Sequence, residues 1–459
     1  MSETIAAIST ALSEGGIGII RVSGPDAIEI VNKIYRNKDG VSNLKSYKTH
    51  TIHYGFIYDG EKLLDEVMVS IMKAPNTFTR EDMVEINCHG GVLVCKNILN
   101  LCLNTGAILA EPGEFTKRAF LNGRIDLSKA EAVMDLISSK SNMSLNNSLN
   151  HLSGRLFEKI KSIRESVLYE IAFIESALDD PEHISLDGFT DSLRVKIGSL
   201  LTELTKLYDS FSTGKFLKEG INTCIVGKPN VGKSSLLNFL SGYERAIVTD
   251  IAGTTRDTIE ERVLLKDISL NLIDTAGIHD SYDTVENIGV ERAKKYAKNA
   301  DLILFLMDAS EKLSEEDLSI IDFIKDKKVI ALINKIDIGK EIDINEVRNL
   351  FSEESKVLEI SVKSGDGINN LESVIEEMFL HGEISVNDDL YITNLRQADL
   401  IKKSMDSLSH VVESLDLGLP EDFYSIDLMS AYATLGKIIG EDVDDDLVEE
   451  IFSKFCMGK

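Results

Sequence analysis

Residues 227–234 read Gly-Lys-Pro-Asn-Val-Gly-Lys-Ser and match the pattern G-x-x-x-x-G-K-[ST]. An apolar run from Ile221 to Val226 precedes them and predicts a strand, and Ser235 to Leu240 predicts a helix after them. Glycines in such a loop let backbone N–H groups approach phosphates, while Lys233 supplies a positive charge and the Ser234 hydroxyl can bind Mg²⁺. The stretch therefore predicts the phosphate loop of a nucleotide-binding α/β domain.

Three further segments downstream indicate that the nucleotide carries guanine. Asp274-Thr275-Ala276-Gly277 follows the strand-like run Ile268 to Ile273, so Asp274 is placed to hold Mg²⁺ through water. Asn334-Lys335-Ile336-Asp337 also follows a strand-like run, and the Asp337 carboxylate can accept both N–H groups of guanine's N1 and 2-amino edge, which adenine lacks. Ser361-Val362-Lys363 can support the base from behind. Together these segments predict a site for GTP and GDP.

Hydroxyl and amide side chains near the loop predict two cation sites. The segment 249–257 lies where the first switch of a GTPase belongs, and its Thr255 is the natural second hydroxyl ligand of Mg²⁺. Asn230, with Thr249 and Thr254, offers neutral oxygens that suit a monovalent cation beside the phosphates. Such a cation could supply the charge that an arginine finger supplies in other GTPases.

The residue that orients the attacking water in Ras-type GTPases is missing here. Those proteins carry a glutamine after Asp-x-x-Gly, whereas this chain has Ile278, which cannot hydrogen-bond to water. Another group must position the water, and Glu286 is the candidate. A second interpretation stays open, in which Glu286 only begins the helix that continues through Glu291.

Composition is that of a globular protein without a membrane span. The chain has 459 residues, 43% of them hydrophobic, and a net charge of −27. No segment offers the roughly 20 apolar residues that a spanning helix needs, and residues 1–20 lack the charged start and apolar core of a signal peptide. We therefore expect a cytoplasmic protein without membrane attachment. The acidic balance argues against broad non-specific binding to nucleic acid, so any RNA contact needs a local basic patch or a partner protein.

The five cysteines form no C-x-x-C pair. Cys88, Cys95 and Cys102 recur every seven residues, which predicts one buried face of a strand-to-helix unit rather than a zinc site. Cys456, near the C-terminus, is expected to be an exposed thiol. By chemistry alone its role is ambiguous.

The length suggests about three domains. Up to about residue 120 the sequence predicts mixed α and β structure, with strands at Ile17 to Val22 and Met83 to Ile86. The runs Thr49 to Ile57 and Glu66 to Met72 predict a hairpin around the turn Asp59-Gly60.

From Leu127 onward the pattern becomes helical. Apolar residues from Leu145 to Leu178 recur every three or four positions, which predicts helix until Pro181. A second helical run, Leu193 to Tyr208, is followed by Ser212 to Gly220, which we expect to be a polar linker.

Helical patterns return after the nucleotide segment. Asn394 is expected to cap one helix, and Asp442, Asp444, Asp445 and Asp446 are expected to open the last one. Because helices flank the nucleotide segment on both sides, we interpret the chain as a helical bundle into which a P-loop, Ras-like G domain is inserted.

Over its whole length the chain resembles the MnmE (TrmE) family of bacterial and organellar tRNA-modification GTPases. The resemblance rests on the G-domain motifs and on five other stretches: Gly15 to Gly24, Pro75 to Asp82, Cys88 to Gly91, Glu111 to Ile137, and the terminal Cys456-Met457-Gly458-Lys459. Two residues depart from the family pattern, since Arg80 stands where we expect Gly and Arg124 stands where many members have Lys.

The resemblance implies a multidomain α/β plus α architecture. It places an α+β tetrahydrofolate-binding and dimerisation domain at 1–122, the helical domain at 123–216 and 381–459, and the G domain at 217–380. It also implies a GTPase stimulated by K⁺ that works as a homodimer and forms a heterotetramer with the flavoprotein MnmG, which carries the FAD. Together they would add an aminomethyl or carboxymethylaminomethyl group to C5 of uridine 34 in certain tRNAs, with carbon from 5-formyl- or 5,10-methylene-tetrahydrofolate.

The same resemblance implies specific site residues. It places folate contacts on Arg21, Glu85, Arg124 and Lys459, and a catalytic cysteine, whose chemistry stays open, at Cys456. It places potassium ligands on Asn230, Thr249, Thr254 and the carbonyl of Ile251, and magnesium ligands on Ser234 and Thr255. It assigns the water-orienting role to Glu286. The expected GTP contacts are Asn230, Val231, Gly232, Lys233, Ser234, Ser235, Thr249, Asp250, Ile251, Ala252, Gly253, Thr254, Thr255, Asp274, Thr275, Ala276, Gly277, Asn334, Lys335, Asp337, Ser361 and Lys363.

Two other functions remain as alternatives. A GTPase switch in ribosome assembly would need an RNA-binding module such as a KH domain with its GXXG loop, and the sequence has no basic module of that type. A membrane-remodelling GTPase would need an amphipathic basic or apolar surface, and the acidic balance weighs against it.

Overall fold

The computed structural model describes residues 3–184, 187–242, 261–273, 297–380 and 390–458. The chain forms two compact units. The first comprises Met1–Met134, His151–Ser185 and Pro420–Lys459, and the second comprises Asp135–Asn150 and Leu186–Leu419.

The first unit contains a mainly antiparallel seven-stranded sheet in the order β3-β4-β5-β6-β2-β1-β7. Its strands are β1 (Ile5–Ile8), β2 (Gly15–Ser23), β3 (Tyr35–Arg36), β4 (Thr51–Asp59), β5 (Lys62–Met72), β6 (Met83–Gly90) and β7 (Ile108–Leu109). The predicted hairpin is confirmed, because β4 pairs antiparallel with β5 and Thr51 lies opposite Ile71.

The predicted cysteine face is also confirmed. Cys88 lies on β6, while Cys95 and Cys102 lie on the following helix, and all three are buried in one core with Ile20 and Ile86. Burial disfavours the thiolate, so it raises the pKa of Cys102 to about 12.

The remaining elements of the first unit are mostly helical. They are a 3₁₀ turn at Leu44–Ser46 and helices at Ala27–Ile34, Val92–Asn104, Glu114–Leu121, Arg155–Asp179, Glu421–Ile439 and Asp445–Ser453. The helix Leu127–Ser138 begins in this unit. Asp444 precedes the last helix, as its run of carboxylates predicted.

The apolar stripe from Leu145 to Leu178 is helical, but it is divided. One helix covers Asn142–Leu152 and a second covers Arg155–Asp179, because Gly154 between them has φ +95°. An α-helix cannot pass through a left-handed residue, so the regular spacing alone does not predict the break.

The second unit contains a six-stranded sheet in the order β13-β12-β11-β8-β10-β9. Its strands are β8 (Ile221–Gly227), β9 (Glu261–Leu265), β10 (Ile268–Ile273), β11 (Leu302–Asp308), β12 (Val329–Asn334) and β13 (Lys356–Glu359), and its helices are Asn142–Leu152, Phe189–Glu219, Lys233–Gly242, Glu315–Ile324, Ile344–Asn349, Ile368–Leu380 and Leu395–Asp416. All neighbouring strands are parallel except β9 and β10. Ligands of such sheets bind at the carboxyl ends of the strands, where the predicted motifs lie.

The linker predicted at Ser212 to Gly220 is wrong. The helix Phe189–Glu219 continues through it, with Leu217 buried in the core of the second unit. Gly214 permits this packing, because a Cβ there would lie 2.1 Å from the carbonyl oxygen of Ile392. Residues that look polar in sequence are helical here because a distant segment packs against them.

The mixed fold class is confirmed, with helices on both sides of the nucleotide segment. Those helices are divided between the two units. The predicted cap at Asn394 is confirmed, since its side chain accepts a hydrogen bond from the backbone N–H of Arg396. The boundaries after residues 122, 216 and 380 remain predictions.

Candidate functional sites

The phosphate loop has the backbone that its sequence predicts. It leaves β8 at Gly227 and enters the helix at Lys233, with φ values of +152° at Gly227, +65° at Asn230 and +109° at Gly232. Asparagine tolerates this left-handed region better than most residues. Lys233 Nζ donates to the carbonyl oxygens of Gly227 at 2.9 Å and Lys228 at 2.7 Å, so the ammonium is held over its own loop.

Asn334 joins the phosphate loop to the loop at Ser361. This buried amide donates from Nδ2 to the Val231 carbonyl at 2.8 Å and accepts the Val362 N–H at 3.1 Å. A Cβ on Gly232 would lie 2.4 Å from Asn334 Nδ2, so glycine is needed for this close approach. The asparagine predicted to belong to the base site therefore also sets the distance between two loops.

Lys335 makes a second connection to the phosphate loop. Its Nζ donates to the Asn230 carbonyl at 2.8 Å and pairs with Asp308 at 2.6 Å. Burial alone would raise the pKa of the Asp308 carboxyl, but hydrogen bonds from Lys335 and Ser310 hold that pKa below its ordinary value. The carboxylate thus stays ionised and keeps Lys335 against the loop.

The Asp337 carboxylate is exposed and oriented by one hydrogen bond. Ser361 Oγ donates to its Oδ1 at 2.8 Å, and the Ser361 N–H donates to the Asp366 carbonyl at 3.0 Å. Lys363 lies on the exposed side of the same loop. The structure therefore brings together the predicted base contacts Asn334, Lys335, Asp337 and Ser361.

Two acids of this region were not found by the sequence reasoning. Asp308 ends β11 at the same edge of the sheet, and its position after a buried run was the available signal. Asp317 pairs with Lys228 at 2.9 Å and closes a capping box with Ser314. The order Ser-x-x-Asp before an apolar run was the signal for the second acid.

Part of the predicted GTP site lies outside the described residues. This part comprises Thr249, Asp250, Ile251, Ala252, Gly253, Thr254 and Thr255 of the first switch, Asp274, Thr275, Ala276 and Gly277 of the Mg²⁺ segment, and Glu286. Lys459 of the predicted folate set also lies outside them.

A separate cluster in the first unit contains two of the predicted folate contacts. Arg21 on β2 lies directly opposite Glu85 on β6, and its Nε and NH2 donate to Glu85 Oε1 at 2.9 Å and 2.8 Å. Both side chains are about one-fifth exposed, at 20% and 22%. Both N–H groups converge on one carboxylate oxygen, and the pair presents a carboxylate and a cation side by side.

The C-terminal tail is seated on the same pair. Arg21 NH1 donates to the Gly458 carbonyl at 3.1 Å, and Ser9 Oγ donates to the same oxygen at 3.0 Å. A Cβ on Gly458 would lie 2.4 Å from the Ile8 carbonyl oxygen. Cys456, whose side chain is exposed, accepts a hydrogen bond at its carbonyl from the Gly113 N–H at 3.3 Å. Cys456 is two residues before Gly458, whose carbonyl contacts Arg21.

Arg124 lies on a loop farther along this surface. Its NH1 donates to the Phe78 carbonyl at 3.1 Å, and its guanidinium lies 4.8 Å from the centre of the Phe78 ring. Phe78 packs on a small core that includes Phe115, and the Arg21 guanidinium lies 5.6 Å from the Phe115 ring. Arg21 and Arg124 therefore flank one apolar cluster.

Comparison with known proteins identifies the family. Residues 4–124 match the profile of the GTP-binding protein TrmE N-terminus, and residues 127–456 match the profile of the MnmE helical domain. A tRNA modification GTPase MnmE from Lachnoclostridium phytofermentans is 52% identical over 458 residues, covering 100% of both chains. The chain belongs to the MnmE family of tRNA modification GTPases. The MnmE of Acetivibrio thermocellus is 50% identical over 100% of this chain and 99% of its own length.

Family membership confirms the resemblance and the GTPase activity expected from the motifs. Among solved structures, the G domain of the T. maritima FeoB iron transporter aligns at 28% identity over 34% of this chain and 98% of that chain. The TM-score of this alignment is 0.26. Within the part of the chain that the structure describes, no helix has the length and apolar character needed to cross a bilayer.

Proposed function

We propose that this member of the MnmE family is a K⁺-stimulated GTPase that acts in the cytoplasm with the FAD protein MnmG. The pair adds a carboxymethylaminomethyl or aminomethyl group to C5 of uridine 34 in certain tRNAs. The carbon comes from 5-formyl- or 5,10-methylene-tetrahydrofolate. Homodimerisation through residues 1–122 and a heterotetramer with MnmG are part of the proposal.

The observation that carries the proposal is the C-terminal tail on the Arg21–Glu85 pair. A carboxylate accepts the N–H donors of a pterin edge, so Glu85, held by Arg21, suits one end of a folate, and the cation Arg124 suits the carboxylates at the other end. The hydrogen bond from Arg21 to the Gly458 carbonyl brings Cys456 to this pair. In this proposal the exposed Cys456 thiol lies beside the one-carbon donor and takes part in the transfer of its carbon.

The nucleotide side chains have complementary tasks. Asp337 binds the guanine edge, and Lys233 neutralises charge on the β- and γ-phosphates. We propose that Ser234 and Thr255 hold Mg²⁺, and that Asn230, Thr249, Thr254 and the Ile251 carbonyl hold K⁺. Mg²⁺ and K⁺ stabilise negative charge on the transferring phosphoryl group, while Glu286 orients the water.

Mass spectrometry of wobble uridines tests the whole proposal. We expect cells that lack this gene to lose the C5-aminomethyl-type uridines and to regain them when the wild-type copy is restored. Unaltered wobble uridines in such cells, with no second copy of the gene, would overturn the proposal and favour a switch in ribosome assembly instead.

Arg21→Ala is expected to weaken binding of 5-formyl-tetrahydrofolate by about 10-fold or more, because it removes a charge-assisted contact. Equilibrium dialysis of the full-length chain measures this change. Arg36→Gln is the matched control, since Arg36 is on the same sheet and its side chain lies against the Gly60–Glu61 turn and the Tyr58 ring. Equal folate affinity of Arg21→Ala and wild type would refute the assignment of Arg21.

A further inference from the structure

Arg80 has a backbone conformation that its side chain disfavours. Its φ is +61°, in the left-handed region, where a non-glycine residue is uncommon. Such a residue is strained, whereas glycine adopts this φ readily. Because a long cationic side chain stands at a position suited to glycine, we ask which contacts its guanidinium makes.

Three crossed hydrogen bonds fix the loop of Arg80 against the loop of Arg124. Arg80 NH1 donates to the Asn122 carbonyl at 2.9 Å, and Arg124 NH1 donates to the Phe78 carbonyl at 3.1 Å. Asn122 Nδ2 donates to the Thr79 carbonyl at 2.6 Å. Each arginine therefore crosses to the backbone of the opposite loop, and two guanidinium groups are held at one junction.

Both guanidinium groups have N–H donors left with which to bind an anion. Both side chains are exposed, and a guanidinium carries five N–H donors, of which a single backbone carbonyl uses few. Within the described residues, neither Arg80 nor Arg124 forms an ion pair. The neighbouring acid, Glu81, is instead bound by Arg118 at 3.1 Å and by Ser23 Oγ at 2.8 Å. Within the described residues, the two guanidinium groups are therefore not neutralised by an ion pair of their own.

The order of groups along the surface matches the order of groups in a folate. The Arg21 guanidinium, paired with Glu85, lies over the Phe115 ring, and the Arg124 guanidinium lies over the Phe78 ring of the same apolar cluster. With a pterin bound at Glu85, Arg124 is the cation on this cluster that suits the glutamate of the folate. Arg80 follows across the loop junction, where further γ-linked glutamates carry one carboxylate each.

We propose that Arg80 and Arg124 form a carboxylate subsite for the γ-linked polyglutamyl tail, so that this chain prefers polyglutamylated folate to the monoglutamate. The inference rests on the folate binding proposed above. Arg80 supplies specificity for the tail, and Arg124 binds the first glutamate.

The test compares 5-formyl-tetrahydrofolate as monoglutamate and as triglutamate, with calorimetry on the full-length chain. We expect wild type to bind the triglutamate about fivefold or more tightly, since one of the added carboxylates gains Arg80 as a bidentate partner. Arg80→Gly also removes the left-handed strain, so we expect it to fold and to lose the triglutamate preference. The readout is the ratio of the two affinities, because loss of the hydrogen bond to the Asn122 carbonyl affects the Arg124 loop for both ligands alike. Arg80→Gln, which removes the charge and shortens the side chain but keeps a polar group, should match it.

The control variant is Arg36→Gln, which should leave both affinities unchanged. Equal binding of the two folates by wild type would overturn the subsite and leave the folate site itself intact. A triglutamate preference that persists in both Arg80 variants would also overturn it. Failure of wild type to bind either folate would instead overturn the proposed function, and the subsite with it.

Discussion

Asp337→Asn is expected to lower GTP affinity by about 10²-fold to 10³-fold and to favour xanthine nucleotides. The carboxylate accepts two N–H groups of guanine in charge-assisted hydrogen bonds, each contributing roughly 1.5–3 kcal/mol. Asparagine replaces one acceptor by an amide donor, which clashes with the guanine 2-amino group and suits the xanthine carbonyl. Its oxygen can still accept from Ser361, which now donates to Asp337 at 2.8 Å, so the loop should keep its structure.

Titration with fluorescent GDP and XDP measures this switch. Asp322→Asn is the matched control, because Asp322 lies in the same unit and pairs with Lys325 at the exposed surface. Asp322→Asn should bind GDP like wild type. A wild-type GDP affinity in Asp337→Asn would show that Asp337 does not contact the base.

Glu286→Ala is expected to slow GTP hydrolysis by about 10²-fold or more while GDP and GTP affinities stay within a few fold. A positioned side chain that orients or deprotonates the nucleophile contributes this much to a rate, and little to ground-state binding. The prediction depends on sequence, because Glu286 lies outside the described residues. Ile278 cannot perform the task in its place.

Single-turnover hydrolysis in KCl, with nucleotide binding measured separately, tests this role. Glu291→Ala is the control, since Glu291 is the next acid along the chain and has no proposed contact with water. Unchanged turnover of Glu286→Ala in K⁺ would exclude Glu286 as the water-orienting group. The second interpretation, a helix start, would then stand.

The nucleotide site was the part most accessible from sequence, because its elements are local. A strand, a glycine-containing loop and a helix follow one another within Ile221 to Gly242, and their backbone is set by short-range contacts. The structure confirms these elements and adds the connections between loops. Asp308 was missed because it lies far in sequence from Lys335, its partner at the end of the neighbouring strand.

The prediction of a linker at Ser212 to Gly220 was wrong for the same reason, namely contacts with residues that are distant in sequence. Ser212 to Gly220 contains few large apolar residues, so periodicity could not show that it is helical. Gly214 lies against the Ile392 carbonyl and Phe216 packs at 5.0 Å on Phe379, and both partners are distant in sequence. Tertiary packing, rather than local propensity, decides the conformation there.

By itself the sequence determined that this protein binds a guanine nucleotide and belongs to its family, since both are written in contiguous motifs. Only the tertiary structure decided that the C-terminal tail reaches Arg21 and that Arg80 lies opposite Arg124. Arg21 and Gly458 are 437 positions apart, and Arg80 and Asn122 are 42 apart. Hydrogen bonds over such separations depend on how the whole chain folds, so a local pattern of residues does not predict them.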